Sequence, residues 1–252
     1  MLAQAVDGRV LGAAAAGARF VGMSCFNGWL ATLDWPREVV AGLLPPALRL
    51  ADAAAPTHPV LLLFGEQTRS TVVYGGVPMP LAIDFCEFGL AVPFVRHREG
   101  RYRHLFFPRM CSSYFPAVAD GNLHYGLAKR LAHMEWRPPI FWMTDEAGRL
   151  LFHATVEPTG PFGDAAGVEA FRGAHRLADL PVLGRCAADR LVTSYFDWGA
   201  RDARARPVRA RLSVSGDLAS GLAARETLAG ADRCCEVSGM TWRLSWPLGC
   251  RL

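Results

Sequence analysis

The run Leu81–Val95, LAIDFCEFGLAVPFV, constrains this chain more than any other segment. It is apolar at odd and even positions alike, so as a strand it presents a hydrophobic surface to both sides. Such a strand is stable only with a layer packed on each face. Glu87 interrupts the run, on the face shared by Ile83 and Phe85. A carboxylate buried there is costly unless it is paired or protonated. Glu87 is therefore a candidate general acid/base, with a structural ion pair to an arginine as the plainer alternative.

The other apolar runs extend the same pattern. Phe20–Leu33, His58–Phe64, Thr71–Tyr74, Tyr102–Phe107, Leu131–Trp136 and Leu191–Trp198 combine β-branched and aromatic residues over strand-like lengths. Ile140–Met143 and Leu150–Val156 flank TDEAGR, a hairpin signal. Val208, Ala210, Leu212 and Val214 alternate with Arg209, Arg211, Ser213 and Ser215, the period of a half-buried strand. Met240, Trp242, Leu244 and Trp246 share one face of a last strand. Helices are short: Pro36 opens PREVVAGLL, and Ala117–Tyr125 stops at Gly126. Residues 158–187 read as a long connection with one helix around Val168–Phe171. The expected fold is mainly β (α+β), a curled or closed antiparallel β-barrel with a few short helices. Residues 1–18 are expected to be a flexible arm, and residues 19–252 a single domain.

Several function classes fall away. No apolar run reaches the roughly eighteen residues of a membrane helix, and the N-terminus lacks a basic start followed by a clean apolar block. Cytoplasmic location is the expectation. The seven cysteines include no C-x-x-C pair and sit mostly in apolar runs, which points to free thiols rather than disulfides or zinc. GAAAAGAR has spaced glycines but no following Lys-Ser/Thr, so it is not a phosphate loop. Arg201, Arg204, Arg206, Arg209 and Arg211 are diluted by Asp197 and Asp202, and alternation accounts for two of them, so no nucleic-acid partner is expected. There is no nucleophile elbow and no H-E-x-x-H.

Lysine is the informative residue. Lys and Arg total 27, yet Lys129 is the sole lysine. It lies in DGNLHYGLAKRLAHMEW, between a short helix and a strand, among Leu123, Tyr125, Leu127, Ala128, Leu131, Ala132 and Met134. Desolvation there disfavours the charged ammonium. A neutral amine is a nucleophile, whereas a guanidinium is not. The bland alternative is a surface lysine at a helix end with its stem on apolar surface. Arg130 is a neighbouring cation, directed to the opposite face if the chain is extended. His133 and Glu135 fall in phase with Lys129 along a strand and are candidate pocket residues. His124 and Tyr125 could reach the same site from the helix end.

YGLAKRLA is similar to the segment that carries the Schiff-base lysine of the acetoacetate decarboxylase family, where an aromatic–Pro–Lys–Lys–Leu pattern follows a helix. Acetoacetate decarboxylase is itself the standard instance of a lysine activated by desolvation or an adjacent cation. DFCEFGLAVPF resembles the family's glutamate-bearing strand, and FNGWLATLDWPREVVAGLLPPAL resembles its N-terminal strand, helix and proline turn. The likeness covers roughly residues 20–156. It implies that Lys129 forms the imine, that Arg130 stands on the second cation and that Glu87 stands on the active-site glutamate. It further implies a cofactor-independent, metal-free carbon–carbon lyase acting on a β-keto acid or related ketone, in a homo-oligomer. Three departures mark this chain. Ala128 replaces the proline before the lysine, and Asn122 and Leu123 stand where the family usually shows Arg and Glu. The arginine of the first strand has no counterpart, since Ala31 or Asp34 falls there. Without that carboxylate binder, imine-dependent aldol, dehydration or cyclisation chemistry on a larger carbonyl compound is the alternative. A non-catalytic ligand-binding barrel is a third. Arg69 and Arg96 are the candidates to steer a carboxylate in its place.

Overall fold

A computed structural model describes residues 19–51, 55–74, 77–81, 83–186, 191–215, 218 and 226–249. The expected arm, residues 1–18, lies outside the described residues, as does Cys250. The chain is mostly β. Strand β1 (Phe20–Pro36) leads into helix α1 (Arg37–Gly42), and strands β2 (Leu48–Leu50), β3 (Thr57–Tyr74), β4 (Val77–Pro80), β5 (Phe85–His97) and β6 (His104–Ser112) follow. Helix α2 (Phe115–Leu123) precedes β7 (Lys129–Leu131), β8 (His133–Arg137), β9 (Ile140–Thr144), β10 (Leu150–Pro158) and β11 (Gly163–Asp164). Helix α3 (Glu169–Ala178) is followed by β12 (Val182–Arg185), β13 (Leu191–Ser194), β14 (Phe196–Gly199), β15 (Arg204–Val214), β16 (Glu226–Ala229), β17 (Cys234–Ser245) and β18 (Leu248–Gly249). No described helix is long and apolar enough to cross a membrane.

β1 pairs antiparallel with β3 on one side and β17 on the other, and the sheet continues from β3 through β5 to β6. A second run of ladders joins β8, β9, β10, β15 and β16. β15 belongs to both, because its first residues pair with β17 and the rest with β10. This arrangement explains why β5 is apolar on both faces. Phe88, Leu90 and Val92 join Trp29 and Phe64 in a core closed by Phe141 and Phe152 from the second run. The Phe88 and Phe152 rings lie 4.7 Å apart. Ala91 faces the other way, into a core of Phe26, Leu30, Leu61 and Leu63 covered by Phe171, Ala174 and Ala178 of α3. Burying each of these large side chains contributes on the order of 1.5–3 kcal/mol.

Of the curled or closed antiparallel barrel expected from strand character, the mainly β architecture is present, but the described sheet is not closed. Among the described residues its far ends meet only through two-residue ladders, β12 on β6 and β13 on β18. Two ladders are parallel, β6–β12 and β6–β7, because a helix stands between the partners in each case and lets the chain cross over. The segment read as a long connection contains the ten-residue helix α3 and the strand β12. Thr57–Tyr74 is one strand, with Arg69 at φ 51° where two had been expected. Leu191–Trp198 is interrupted at Tyr195, and Ile83 lies ahead of β5, more than half exposed.

Candidate active site

The lysine is presented by a tightly constrained loop. Between α2 and β7 the chain turns through Gly126 at φ 59° and Ala128 at φ 50°. Gly126 is packed against β12: its carbonyl accepts the Arg185 N–H at 3.0 Å, and a β-carbon there would come within 2.5 Å of the Arg185 backbone. Ala128 is a non-glycine residue held in the left-handed region, a strained conformation. A proline, with φ fixed near −65°, could not occupy that position. Asn122 brackets the next residue with its side-chain amide. The Lys129 N–H donates to Asn122 Oδ1 at 2.6 Å, and Asn122 Nδ2 donates to the Lys129 carbonyl at 2.9 Å. The lysine stem then runs along α2 at Gly121, where a β-carbon would lie 2.7 Å from Lys129 Cδ.

Glu87 comes from β5, opposite Gly65 of β3 and Ser112 of β6. Lys129 Nζ lies 2.6 Å from Glu87 Oε1, with the two side chains only 10% and 6% exposed. The second carboxylate oxygen is also engaged, because Gln67 Nε2 donates to Glu87 Oε2 at 3.1 Å. Gln67 is oriented in turn by Trp242, whose indole N–H donates to Gln67 Oε1 at 2.8 Å. An indole N–H can only donate. That fixes which end of the amide faces Glu87, and Oε2 must accept. Glu87 Oε1 is thus the carboxylate oxygen left facing the lysine.

Lys129, Glu87 and Gln67 line one end of a cavity of about 400 Å3, and Trp242 lines its wall beyond them. Asp120, His124 and Tyr125 share that end. Burial raises the Asp120 carboxyl above its usual range, while His124 and Lys129 pull it back. His124 Nε2 stands 4.0 Å from Asp120. Burial, and then the Asp120 charge, push the Tyr125 phenol up. The remaining walls are mainly apolar and aromatic, from β1, β3, β6, β14 and β17, with Ser70 and Thr71 of β3 among them.

The expected site residues divide. Lys129, Glu87 and Tyr125 meet in the cavity, and His124 joins them. Arg130 is exposed on the opposite side, in register with Cys111 of β6. His133 and Glu135 do not line the cavity. The strand is broken at Ala132, whose N–H bonds to Ser112, and β8 leaves to pair with β9. The alternation counted from Lys129 does not survive that break. His133 is exposed, and Glu135 forms an ion pair with Arg137. Neither arginine proposed to steer a carboxylate lines the cavity. Arg69 lines a neighbouring cleft with Asp197 and Arg243. Arg96 lies near the far end of β5 opposite Arg49, about 30 Å along the strand from Glu87. Gln67, Trp242, Asn122, Asp120 and Gly121 were not anticipated as site residues. Only Gln67 carried a visible signal, a polar residue at the end of an apolar strand. Among the described residues there is no cluster of three metal-ligating side chains.

No protein-family model matches the chain, and a search of curated proteins finds no relative. Solved structures do match in fold. An acetoacetate decarboxylase from Legionella pneumophila subsp. pneumophila str. Philadelphia 1 superposes with a TM-score of 0.62 at 16% identity, covering 91% of this chain and 87% of that one. An acetoacetate decarboxylase-like enzyme from Sphingomonas wittichii RW1 gives 0.62 at 14% identity, over 93% and 94% of the two chains. The enduracididine biosynthesis enzyme MppR, complexed with the condensation product of pyruvate and imidazole 4-carboxaldehyde, gives 0.57 at 15% identity, over 91% and 89%. The chain has the acetoacetate decarboxylase-like fold.

Proposed function

We propose that this protein is a carbon–carbon lyase that works through an imine on Lys129, acting on a β-keto acid or related ketone. One observation carries the reading: the chain's single amine side chain lies 2.6 Å from a carboxylate at the end of an apolar cavity. The steps balance with these two groups alone. The ammonium passes a proton to Glu87 Oε1, and the free amine adds to the carbonyl carbon. The nitrogen's proton moves to the former carbonyl oxygen, giving a carbinolamine. Glu87 returns its proton, water departs and an iminium remains. The iminium is an electron sink: it accepts the electron pair released when carbon dioxide leaves a β-keto acid, or the pair released when an α-C–H gives its proton to Glu87. The enamine so formed takes a proton from water at its α-carbon, and hydrolysis of the resulting iminium restores Lys129. The steps require no cofactor, and the partner is a small carbonyl compound.

The solved acetoacetate decarboxylase structures support the decarboxylation branch by fold. The enamine branch, leading to aldol-type condensation with dehydration, is a second reading. It draws on the departure of Arg69 and Arg96 from the cavity and on the condensation product held by MppR. Borohydride with a reactive ketone tests both branches at once. The intact protein should gain one reduced-imine mass, mapped to the peptide holding Lys129. No adduct with any ketone or aldehyde, or labelling confined to Met1, sinks the imine and leaves a ligand-binding fold.

A further inference from the structure

Charge is distributed unevenly in the cavity. Among the described residues that line it, Lys129 is the sole Lys or Arg, and Glu87 already holds it at 2.6 Å. Two carboxyl groups, Glu87 and Asp120, stand at the same end, and His124 is the one other group there able to carry positive charge. Beyond this end the walls include Phe26, Phe85, Phe196, Trp198, Trp242 and Leu244, with Ser70 and Thr71 among them. The rings form a continuous panel: Phe196 stacks on Trp198 with centroids 5.2 Å apart and leans on Trp242 at 5.4 Å. Phe85 stacks on Tyr114 at 5.5 Å. A substrate carboxylate would meet two carboxyl groups at the reacting end and mainly aromatic walls elsewhere. Among the described lining residues there is no arginine to receive it, and His124, the Ser70 and Thr71 hydroxyls and the unpartnered Trp198 indole N–H are left to do so, so its desolvation would be poorly offset. An aryl group or a hydrocarbon chain would find offset and edge-on ring partners. A cavity of about 400 Å3 accommodates a phenylalkyl group, since roughly 150 Å3 is enough for benzene.

We propose that the substrate is an uncharged ketone or aldehyde with an aryl or alkyl body, bound with its carbonyl at Lys129 and its apolar end against the Phe196–Trp198–Trp242 panel. The proposal rests on the imine reading and narrows it. An imine of such a compound has no carboxylate to lose, so it reacts through its α-carbon. The α-C–H bond breaks, Glu87 takes the proton and the electron pair moves onto the iminium to give a neutral enamine. Reversal in deuterium oxide returns a deuteron to carbon, with no other reactant consumed. In the full reaction that carbon adds to the carbonyl carbon of a second aldehyde or ketone, whose C=O π bond opens and whose oxygen takes a proton, and no carbon dioxide is released.

A matched pair of compounds tests this: 4-phenylbutan-2-one, and 5-phenyl-3-oxopentanoate, which differs from it only by the carboxylate. Deuterium uptake by the ketone, decarboxylation of the acid and borohydride trapping of each are measured on one preparation, with Lys129→Met as the control. The expected result is Lys129-dependent exchange and trapping of the ketone, with kcat/KM at least about tenfold above that for the acid. Equal or faster turnover of the acid, with a trapped imine, overturns the proposal and leaves Lys129 as the nucleophile. Tryptophan emission separates the remaining case, because Trp198 and Trp242 line the cavity. Quenching by the ketone with no exchange and no adduct from either compound overturns the imine reading, and this proposal with it.

Discussion

Glu87 is held from two directions, and the two contacts do different things. Lys129 faces one oxygen, the one that exchanges protons in the proposed mechanism, whereas Gln67 occupies the other and is itself set by Trp242. Glu87→Gln should leave the fold intact and reduce turnover by about 10²-fold or more, the usual loss when a general acid/base is removed. Near-normal turnover with a lowered Tm would assign Glu87 to structure alone. Gln67→Leu removes the donor that holds one carboxylate oxygen of Glu87. The expected outcome is a lower kcat at nearly constant KM. Trp242→Phe should lower kcat in the same direction by less. An unchanged kcat in both variants would show that the chain from Trp242 to Glu87 only fills space.

At the scale of elements, α2 and the loop after it aim the lysine. Gly121 lies inside the helix with its open side filled by the Lys129 stem. Gly121→Ala should therefore split stability from activity. Alanine favours the helix by up to about 1 kcal/mol, while its methyl group displaces the flexible lysine. A Tm equal to or above the parent, with imine trapping slowed at least about tenfold, is the expected pair of results. Parental trapping would mean that the stem has another route. Ala128→Pro restores the residue that the resembling family carries, yet φ 50° forbids it. This variant should lose both trapping and stability, read by thermal melting and borohydride labelling together. Asn122, by contrast, is exposed and works only through its two hydrogen bonds to the Lys129 backbone.

Across the whole molecule, the thiols set a limit on the alkaline side. Cys25, Cys86, Cys111, Cys186, Cys234 and Cys235 are free. Burial pushes Cys111 up to about 11 and Cys234 up to about 12. In the unfolded chain such thiols ionise near ~8.5. Above that pH the unfolded state binds fewer protons than the folded one, so stability falls as pH rises. Each such thiol contributes a slope of about 1.4 kcal/mol per pH unit until its folded-state value is reached. Urea unfolding measured between pH 8 and pH 11 should show this decline, and Cys234→Ala should flatten it. A stability that stays level over that range would contradict the burial of these groups. In unreduced, denatured protein all seven cysteines should titrate with a thiol reagent.

How much was legible beforehand follows from which forces act locally. Alternation and two-sided apolar runs depend on side-chain period and burial, so β1, β5, β10, β15 and β17 could be read as strands from residues alone. The lone lysine and the lone carboxylate within β5 were conspicuous for the same reason: each is a polar group where burial is costly. Period fails where the backbone breaks it. Counting from Lys129 to His133 and Glu135 assumed an unbroken strand, and the break at Ala132 turned both away. β12 was hidden because four residues, Val182–Arg185, carry too short a pattern, though they clamp Gly126. The sequence alone determined the β-rich architecture, the two covered faces of β5 and the identity of the one amine and of the carboxylate within β5. Tertiary structure decided that they stand 2.6 Å apart, that Gln67 and Trp242 orient the carboxylate and that no described arginine lines the cavity. Those distances join residues up to 175 positions apart, set by strand register and crossover, which no local pattern encodes.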